Sequence, residues 1–277
     1  ALSRATGGAL AVVAALNRAV RAELPAGAHW VDLEAVSGWL GRAHFYDARN
    51  YHWFKQPFSP AGASELCRHV AVALRALRTG RKKVLVLDLD NTLWGGVVGE
   101  VGAHGVAVGT SGEGEAFHAF QTFVKQIRLS GVLLAACSKN NEADAAEPFA
   151  VRSDMPLKRE DFAAWHVSWE AKPQRVRAMA QELNLGLDSF VFVDDNPAER
   201  AHMRAACPEV TVVELPADPS GYVAALEQSL AFETADLSTG GPDRTAQYAA
   251  EATRKQLAAA AATPAEYLAS LEMRAAV

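Results

Sequence analysis

Two aspartates separated by one residue follow a short, continuously apolar run. The run is Val84-Leu85-Val86-Leu87, and the aspartates are Asp88 and Asp90. Burying carboxylates at the end of a strand costs free energy unless their negative charge is compensated. A hard cation can compensate this charge by binding the carboxylate oxygens. One aspartate can also attack a phosphorus atom, while a second protonates the leaving oxygen and later activates water. The alternative is a surface turn in which aspartates occupy favourable positions.

Three further segments carry groups that phosphoryl chemistry needs. Ser138 ends the next apolar run, and its hydroxyl can donate a hydrogen bond to a phosphoryl oxygen. Lys172 precedes a segment with helical periodicity, and its ammonium could neutralise the charge that develops on a phosphoryl group. Considered by itself, it is typical of a solvent-exposed lysine at the end of a helix. Asp194 and Asp195 follow the apolar run at 190–193 and could complete a magnesium shell. This order of groups predicts a single phosphoryl-transfer site.

These groups need a framework that brings strand ends together. From position 82 onward, apolar runs that predict strands alternate with segments of helical periodicity. The predicted strands cover 84–87, 132–136, 166–169, 190–193 and 210–213. The alternation predicts an α/β fold with a doubly wound, mainly parallel sheet flanked by helices. Ligands bind at the carboxyl ends of strands in such sheets, where the polar groups lie.

The pattern divides the chain into three parts. Residues 1–80 are predicted to form helices and an irregular aromatic loop, at 41–60, that packs on the core. Residues 81–235 are predicted as the catalytic domain. Residues 236–277 contain a Ser-Thr-Gly-Gly-Pro linker and are predicted to form two helices. We expect a piece cut from a longer polypeptide, although processing would explain Ala1 equally well.

Composition excludes several classes of protein. Of the 277 residues, 50% are hydrophobic and 21% are charged, which is typical of a soluble globular protein. The net charge of −5 gives no electrostatic case for nucleic acid binding, and no apolar run is long enough for a membrane span. The three cysteines, Cys67, Cys137 and Cys207, argue against a disulfide framework and for a reducing compartment, so we expect a cytoplasmic protein.

Longer strings around these residues are more specific than the residues alone. The strings are VLDLDNTLWGGVVGE at 86–100, CSKNNE at 137–142 and FVDDNPAER at 192–200. With Lys172, they resemble the four motifs of the haloacid dehalogenase (HAD) superfamily. More narrowly, they resemble the FkbH-like family, and the similarity extends over most of the chain. The short interval between Asp88 and Ser138 leaves room for a glycine-rich flap but not for a large cap domain.

The superfamily resemblance implies a role for each of the central residues. Asp88 would be the nucleophile and Asp90 the acid and base, while Ser138 and Lys172 would hold the phosphate. Mg²⁺ would be held by Asp88, by Asp90 through its carbonyl and by Asp194, with Asp195 as the second choice.

The FkbH-like resemblance implies a role in polyketide biosynthesis. Such an enzyme takes D-1,3-bisphosphoglycerate, removes phosphate, and transfers the glyceryl group through a Cys137 thioester to the phosphopantetheine thiol of an acyl carrier protein. Lys139 and bound magnesium could lower the pKa of the Cys137 thiol. The alternative for Cys137 is a small buried hydrophobic residue at a strand end. We assign structural roles to Cys67 and Cys207.

Other residues in these loops are candidates for substrate contacts. A flap containing Glu100 could close over the substrate, or it could be a hairpin with no catalytic contact. Arg200 could meet a carboxylate or phosphate, or form a surface salt bridge. The candidate substrate-binding residues are Ser138, Lys139, Asn140, Trp94, Gly95, Gly96 and Arg200. Two other functions stay open: a magnesium-dependent phosphatase acting on a metabolite or phosphoprotein, and a non-catalytic docking module of a synthase.

Overall fold

The computed structural model describes residues 8–25, 28 and 30–232. The chain divides into two compact units, one within residues 1–80 and the other beginning at Arg81. The helices predicted within 236–277 lie outside the described residues. Within the described ranges, no helix combines the length and apolar character that a membrane crossing needs.

The described part of the first unit is helical. Its helices are α1 (Ala9–Ala22), α2 (Leu33–Leu40), α3 (Arg42–Phe45), α4 (Ala48–Phe54) and α5 (Pro60–Thr79). The prediction of an irregular loop over 41–60 was wrong where α3 and α4 form. Asp47 explains the start of α4, because its carboxylate accepts a hydrogen bond from the backbone N–H of Arg49.

The second unit is built on a five-stranded parallel sheet. Its strands are β1 (Val84–Leu87), β2 (Leu133–Ser138), β3 (Phe162–Val167), β4 (Phe190–Val193) and β5 (Thr211–Val212), in the order β3-β2-β1-β4-β5. The predicted doubly wound α/β fold is confirmed. The third strand begins and ends earlier than predicted. At the centre, Leu87 of β1 pairs in register with Ala136 of β2 and Val193 of β4.

Helices cover both faces of this sheet. They are α6 (Val98–Gly105), α7 (Gly114–Leu129), α8 (Glu142–Val151), α9 (Lys172–Glu182), α10 (Pro197–Ala206) and α11 (Tyr222–Gln228). Side chains of β1 alternate between two cores: Leu85 packs in one cluster with Phe120 of α7, and Val86 packs in the other with Met179 of α9. Because both faces are covered, β1 is apolar at every position, and its polar residues begin only where the strand ends.

The glycine-rich segment after β1 is held in place by an arginine. Arg152 donates hydrogen bonds to the carbonyls of Val106 (2.9 Å) and Val108 (2.5 Å), and both oxygens of Asp154 accept from its guanidinium. The segment contains α6 and an antiparallel bridge between Gly95 and Ala107. It is therefore an ordered part of the second unit beside the carboxyl end of β1.

Candidate active site

Three carboxylates and one ammonium meet at the carboxyl ends of the two central strands. Asp88 follows β1, and Asp194 and Asp195 follow β4. One oxygen from each of the three lies within 4.8 Å of the others. The first residue of α9, Lys172, places its Nζ 2.9 Å from Asp88 Oδ2 and 2.6 Å from Asp194 Oδ2. The chain thus supplies one positive charge against three carboxylates.

The second oxygen of Asp88 has no hydrogen-bond partner among the residues that the structure describes. This oxygen, Oδ1, is buried and accepts no hydrogen bond, and the residue as a whole is only 7% exposed, so solvent cannot readily satisfy it. A buried, unsatisfied carboxylate oxygen is costly, and the excess negative charge adds to that cost. A hard divalent cation takes carboxylate oxygens as ligands and would remove both penalties. The set formed by Asp88, Asp194 and Asp195 therefore fits such a cation.

Burial and mutual repulsion shift the titration of these groups. Burial raises the pKa of Asp194 to about 6, and the charge of Asp88 acts in the same direction. Burial also raises the pKa of Asp195. Burial alone would lower the pKa of Lys172, but the charges of Asp88 and Asp194 outweigh it and the pKa is raised. Lys172 therefore remains an ammonium that faces the carboxylates.

Asp90 lies apart from this cluster and is held by three donors. Its Oδ1 accepts from the indole N–H of Trp94 (2.8 Å) and the backbone N–H of Val98 (3.1 Å). Its Oδ2 accepts from the side-chain amide of Asn140 (2.9 Å). Burial raises the pKa of Asp90. A carboxyl group held in one orientation and with a raised pKa suits proton transfer. The metal contact predicted for the backbone carbonyl of Asp90 stays a prediction.

The three residues from Ser138 to Asn140 point to different partners. Ser138 ends β2, and it is buried with its carbonyl accepting from Arg175 (2.6 Å). Lys139 pairs with Glu199, with 2.5 Å between Nζ and Oε1. Asn140 contacts Asp90 as described above. The backbone of Ser138 is thus held at the carboxyl end of the strand beside β1, and its predicted phosphate contact stays a prediction, whereas Lys139 and Asn140 already bind protein groups.

Cys137 is fully buried between the sheet and α9. It belongs to the cluster that contains Val176 and Met179, and its Sγ lies 3.9 Å from the carbonyl oxygen of Lys172. Burial raises the pKa of the Cys137 thiol to about 12. Burial outweighs the lowering of this pKa by the charges of Arg175 and Lys172, and Lys139, which was expected to lower it, is paired with Glu199. In this conformation Cys137 is a protonated thiol inside an apolar cluster.

The flap residues differ from their expected role as substrate contacts. Trp94 is fully buried, and its indole supports Asp90 and packs against Phe149. A Cβ atom on Gly95 would lie 2.8 Å from the ring of Phe117, so this glycine permits close packing. Gly96 has φ of +94° and donates its N–H to the side chain of Asn91. These residues position the loop that carries Asp90.

Arg200 supports the acidic loop after β4. Its Nη1 lies 2.7 Å from the carbonyl oxygens of both Asp194 and Asp195, and its Nε donates to Glu214. Arg200 is only 7% exposed, so its ion pair with Glu214 is not a typical surface salt bridge. Its guanidinium already donates to protein groups, so it is not free to bind an anion in this conformation. Arg200 is a positioning residue for two of the clustered carboxylates.

Several supporting residues were missed by the sequence analysis. Thr92 accepts a hydrogen bond from the backbone N–H of Asp195 (3.2 Å), and Tyr222 donates to the carbonyl of Asn91 (3.0 Å). Arg175 donates from one nitrogen to the carbonyls of Ser138 and His166, each at 2.6 Å. Arg175 lies one turn after Lys172, and this spacing could have identified it. Tyr222 is too distant in sequence to give such a signal.

One solved structure matches much of the chain. It is the N-terminal part of a Bacteroides fragilis protein, a part that contains a phosphatase domain, determined as a complex with Mg. The sequences are 40% identical, the match covers 74% of this chain and 55% of that chain, and the TM-score is 0.70. The chain thus shares a parallel α/β fold with a phosphatase domain. It spans about half the length of the matched structure.

A second structure matches more weakly. It is a haloacid dehalogenase-like family hydrolase from Xanthomonas campestris, 14% identical, with a match over 65% of this chain and 97% of that one. Its TM-score is 0.36, so the likeness says nothing further about this chain. No family model matches the sequence, and a search of curated proteins found no match.

Proposed function

We propose that this chain is a magnesium-dependent phosphoryl-transfer enzyme that releases phosphate, with Asp88 as its nucleophile. The observation that carries the proposal is the environment of Asp88, which contacts Lys172, lies beside Asp194 and Asp195, and keeps Oδ1 unpartnered. The similarity to a phosphatase domain determined with Mg supports the same activity.

The first chemical step transfers the phosphoryl group to Asp88. A carboxylate oxygen of Asp88 attacks the phosphorus atom, and the bond from phosphorus to the leaving oxygen breaks. Asp90 donates a proton to that oxygen. The Ser138 hydroxyl and the Lys172 ammonium bind phosphoryl oxygens and stabilise their charge. Asp88, Asp194 and the Asp90 carbonyl, with Asp195 as the second choice, would hold Mg²⁺, which would supply further positive charge at the phosphoryl group.

The second step releases phosphate and restores the enzyme. Asp90, now ionised, accepts a proton from a water molecule, and the resulting oxygen attacks the phosphorus of the aspartyl phosphate. The bond between Asp88 and phosphorus breaks, and Asp90 is protonated again. The three donors to Asp90 keep its carboxyl group in one orientation for both proton transfers.

For the substrate and acceptor, we propose the pair implied by the FkbH-like resemblance, D-1,3-bisphosphoglycerate and an acyl carrier protein. The Cys137 thiolate attacks the acyl carbon of the acyl phosphate, the bond to the phosphate oxygen breaks, and that phosphate leaves. The phosphate ester that remains on the glyceryl group loses its phosphoryl group to Asp88 by the two steps described above. The carrier's thiol then attacks the thioester and frees Cys137. The position of Cys137 beside Ser138 supports this relay. Because Cys137 is fully buried, the end of β2 or α9 must move before the thiol can lose its proton and react.

Replacing the nucleophile tests the phosphoryl-transfer proposal. Asp88→Asn should lower magnesium-dependent phosphate release by a factor of about 10³ or more, because the amide cannot form the aspartyl phosphate. Asp144→Asn is the matched control, since Asp144 is only half-buried on α8 and lies outside the cluster. Equal activity of Asp88→Asn and the wild-type protein would disprove the proposal and favour a non-catalytic docking module.

A cysteine substitution separates the acyl relay from the simpler phosphatase. Cys137→Ala should retain phosphate release while losing acyl loading onto the carrier protein. Intact-mass analysis of wild type after incubation with bisphosphoglycerate and Mg²⁺ should detect a glyceryl adduct on Cys137. Cys67→Ala, at an exposed free cysteine, is the control and should load normally. Unchanged loading by Cys137→Ala would leave a phosphatase acting on a metabolite or phosphoprotein.

A further inference from the structure

One ion pair joins the segments that follow the two strands beside β1. Lys139 comes one residue after β2, and Glu199 lies in the first turn of α10, which follows β4. Nζ of Lys139 is 2.5 Å from Oε1 of Glu199. Because β2 and β4 flank β1 in the sheet, this pair lies across the end of the strand from which Asp88 leaves.

The second oxygen of Glu199 receives no hydrogen bond from any residue that the structure describes. Oε2 is buried and accepts no hydrogen bond, and the side chain is only 14% exposed. Burial would raise the pKa of Glu199, but the Lys139 hydrogen bond and the charge of Lys172 outweigh it and the pKa is lowered. Glu199 therefore presents an ionised oxygen that lacks a partner, and a buried acceptor of this kind is costly unless a ligand supplies the donor.

The surrounding charges select the kind of donor. Lys139 contacts Glu199 directly, and Lys172 acts on it from the carboxylate cluster. Lys139 already supplies a positive charge to Glu199, so a hydroxyl, which donates a hydrogen bond without adding charge, is sufficient to satisfy Oε2. A hydroxyl group on the organic part of a phosphorylated compound is thus the donor that fits.

We propose that Glu199 is a specificity-determining residue that accepts a hydrogen bond from a hydroxyl group of the substrate. Lys139 holds its carboxylate across the end of β1. The proposal rests on the proposed phosphatase activity, and it assigns to Glu199 the recognition of a hydroxyl group, which the proposed substrate D-1,3-bisphosphoglycerate also carries. A site built to accept a hydrogen bond rejects an analogue that lacks the donor, because the buried acceptor is then left unpaired.

Two phosphate esters that differ only in their hydroxyl groups test this role. Glycerol 1-phosphate and propyl phosphate should be assayed with the full chain and Mg²⁺, with phosphate release as the readout. Wild type should prefer glycerol 1-phosphate by about tenfold or more in kcat/KM, as expected for one hydrogen bond to a charged group. Glu199→Ala should reduce this ratio to about one, because the acceptor is lost.

Two further variants make the result decisive. Glu199→Gln keeps the shape of the side chain and an acceptor oxygen but removes the charge, so its ratio should fall below that of wild type. Glu209→Ala removes an exposed carboxylate after α10 and should keep the wild-type ratio. Thermal denaturation with Mg²⁺ identifies any variant that fails to fold.

The possible outcomes separate the two proposals. An equal kcat/KM for both esters in wild type, or a wild-type ratio retained by both Glu199 variants, would overturn the role of Glu199. That result would mean that only water binds Oε2. If wild type released phosphate from neither ester nor from p-nitrophenyl phosphate, the phosphatase proposal itself would fail.

Discussion

The indole N–H of Trp94 lies 2.8 Å from Oδ1 of Asp90 and donates a hydrogen bond to it. This bond favours the charged form of the carboxyl group, against the burial that raises its pKa. A buried tryptophan thus influences both the orientation of Asp90 and the pH at which it exchanges a proton.

Trp94→Phe should therefore change the pH dependence of activity. Loss of the donor raises the pKa of Asp90 further, so the limb of the pH–rate profile that reports Asp90 should move to higher pH. We expect kcat to fall about tenfold or more, since hydrogen bonds to charged groups are among the stronger ones. Trp165→Phe is the control, because the Trp165 indole N–H makes no hydrogen bond. Identical pH profiles for Trp94→Phe and wild type would contradict the assignment.

Removing the buried ammonium should destabilise the metal-free protein. Lys172→Met leaves Asp88 and Asp194 without their cation, and loss of one partner from a buried ion pair costs about 3–5 kcal/mol. Thermal denaturation in EDTA should show a clear fall in Tm, and added Mg²⁺ should raise Tm more than it does in wild type. Arg204→Met breaks an exposed pair with Glu214 and should cost about 1 kcal/mol or less. A Tm equal to that of wild type in EDTA would show that Lys172 does not compensate the carboxylates.

The raised pKa of Asp194 predicts how stability depends on pH. Folding favours the protonated form of Asp194, whose pKa rises from 3.8 to about 6. This stabilising contribution is complete below about pH 4 and is lost as the pH rises through about 6. The Tm of the metal-free protein should therefore increase as the pH falls through about 6, relative to that of Asp194→Asn.

Magnesium should show the opposite dependence, because it binds the ionised carboxylates. Its affinity, measured by calorimetry, should weaken as the pH falls below about 6. A magnesium affinity that is constant across this interval would contradict a site built on Asp194.

Arg200 should influence the metal site without touching the metal. It binds the carbonyls of Asp194 and Asp195, so Arg200→Met should loosen the acidic loop. We expect the magnesium dissociation constant to rise about tenfold or more, as for other residues that orient metal ligands. Arg204→Met is the matched control, since Arg204 also pairs with Glu214 and is 43% exposed. An equal loss of affinity in both variants would assign the effect to Glu214 instead.

Two glycines of the flap should respond differently to alanine. A Cβ on Gly95 would lie 2.8 Å from Phe117 and 3.1 Å from Ala107, whereas a Cβ on Gly99 would meet nothing within 4 Å. Gly95→Ala should destabilise the protein by about 1–3 kcal/mol through overpacking. Gly99→Ala, in α6, should be neutral or stabilising by up to about 1 kcal/mol. Chemical denaturation measures both, and a stable Gly95→Ala would show that the flap can shift.

The strand-end groups were predictable because their pattern is local. A buried parallel strand requires a continuous apolar run, so the first polar residue after Val84–Leu87 marks the end of β1, and the same holds for Asp194 after β4. Parallel strands end at one edge of a sheet, which brings Asp88 and Asp194 together. Thr92 and Arg175 lie close in sequence to these motifs, so they could have been named as candidate site residues.

The partners of the individual side chains were not predictable. The sequence offered Trp94 and Arg200 as candidates for substrate contacts, and only the structure shows that Trp94 donates to Asp90 and that Arg200 donates to the carbonyl of Asp194. Cys137 was expected to be an activated thiol, and burial raises its pKa instead. In the first unit, α3 and α4 formed where an aromatic loop was predicted, because the capping residue Asp47 is a weak signal beside so many aromatic residues.

The sequence by itself determined the α/β fold and the set of polar groups that meet at one edge of the sheet, because apolar runs and the residues that end them are properties of short segments. Only the tertiary structure decided which donor reaches Asp90, which carboxylates face Lys172, and that Glu199 keeps an unpartnered oxygen beside Lys139. These contacts join segments that are far apart in the chain. Their geometry depends on how the loops and helices pack, which no local pattern specifies.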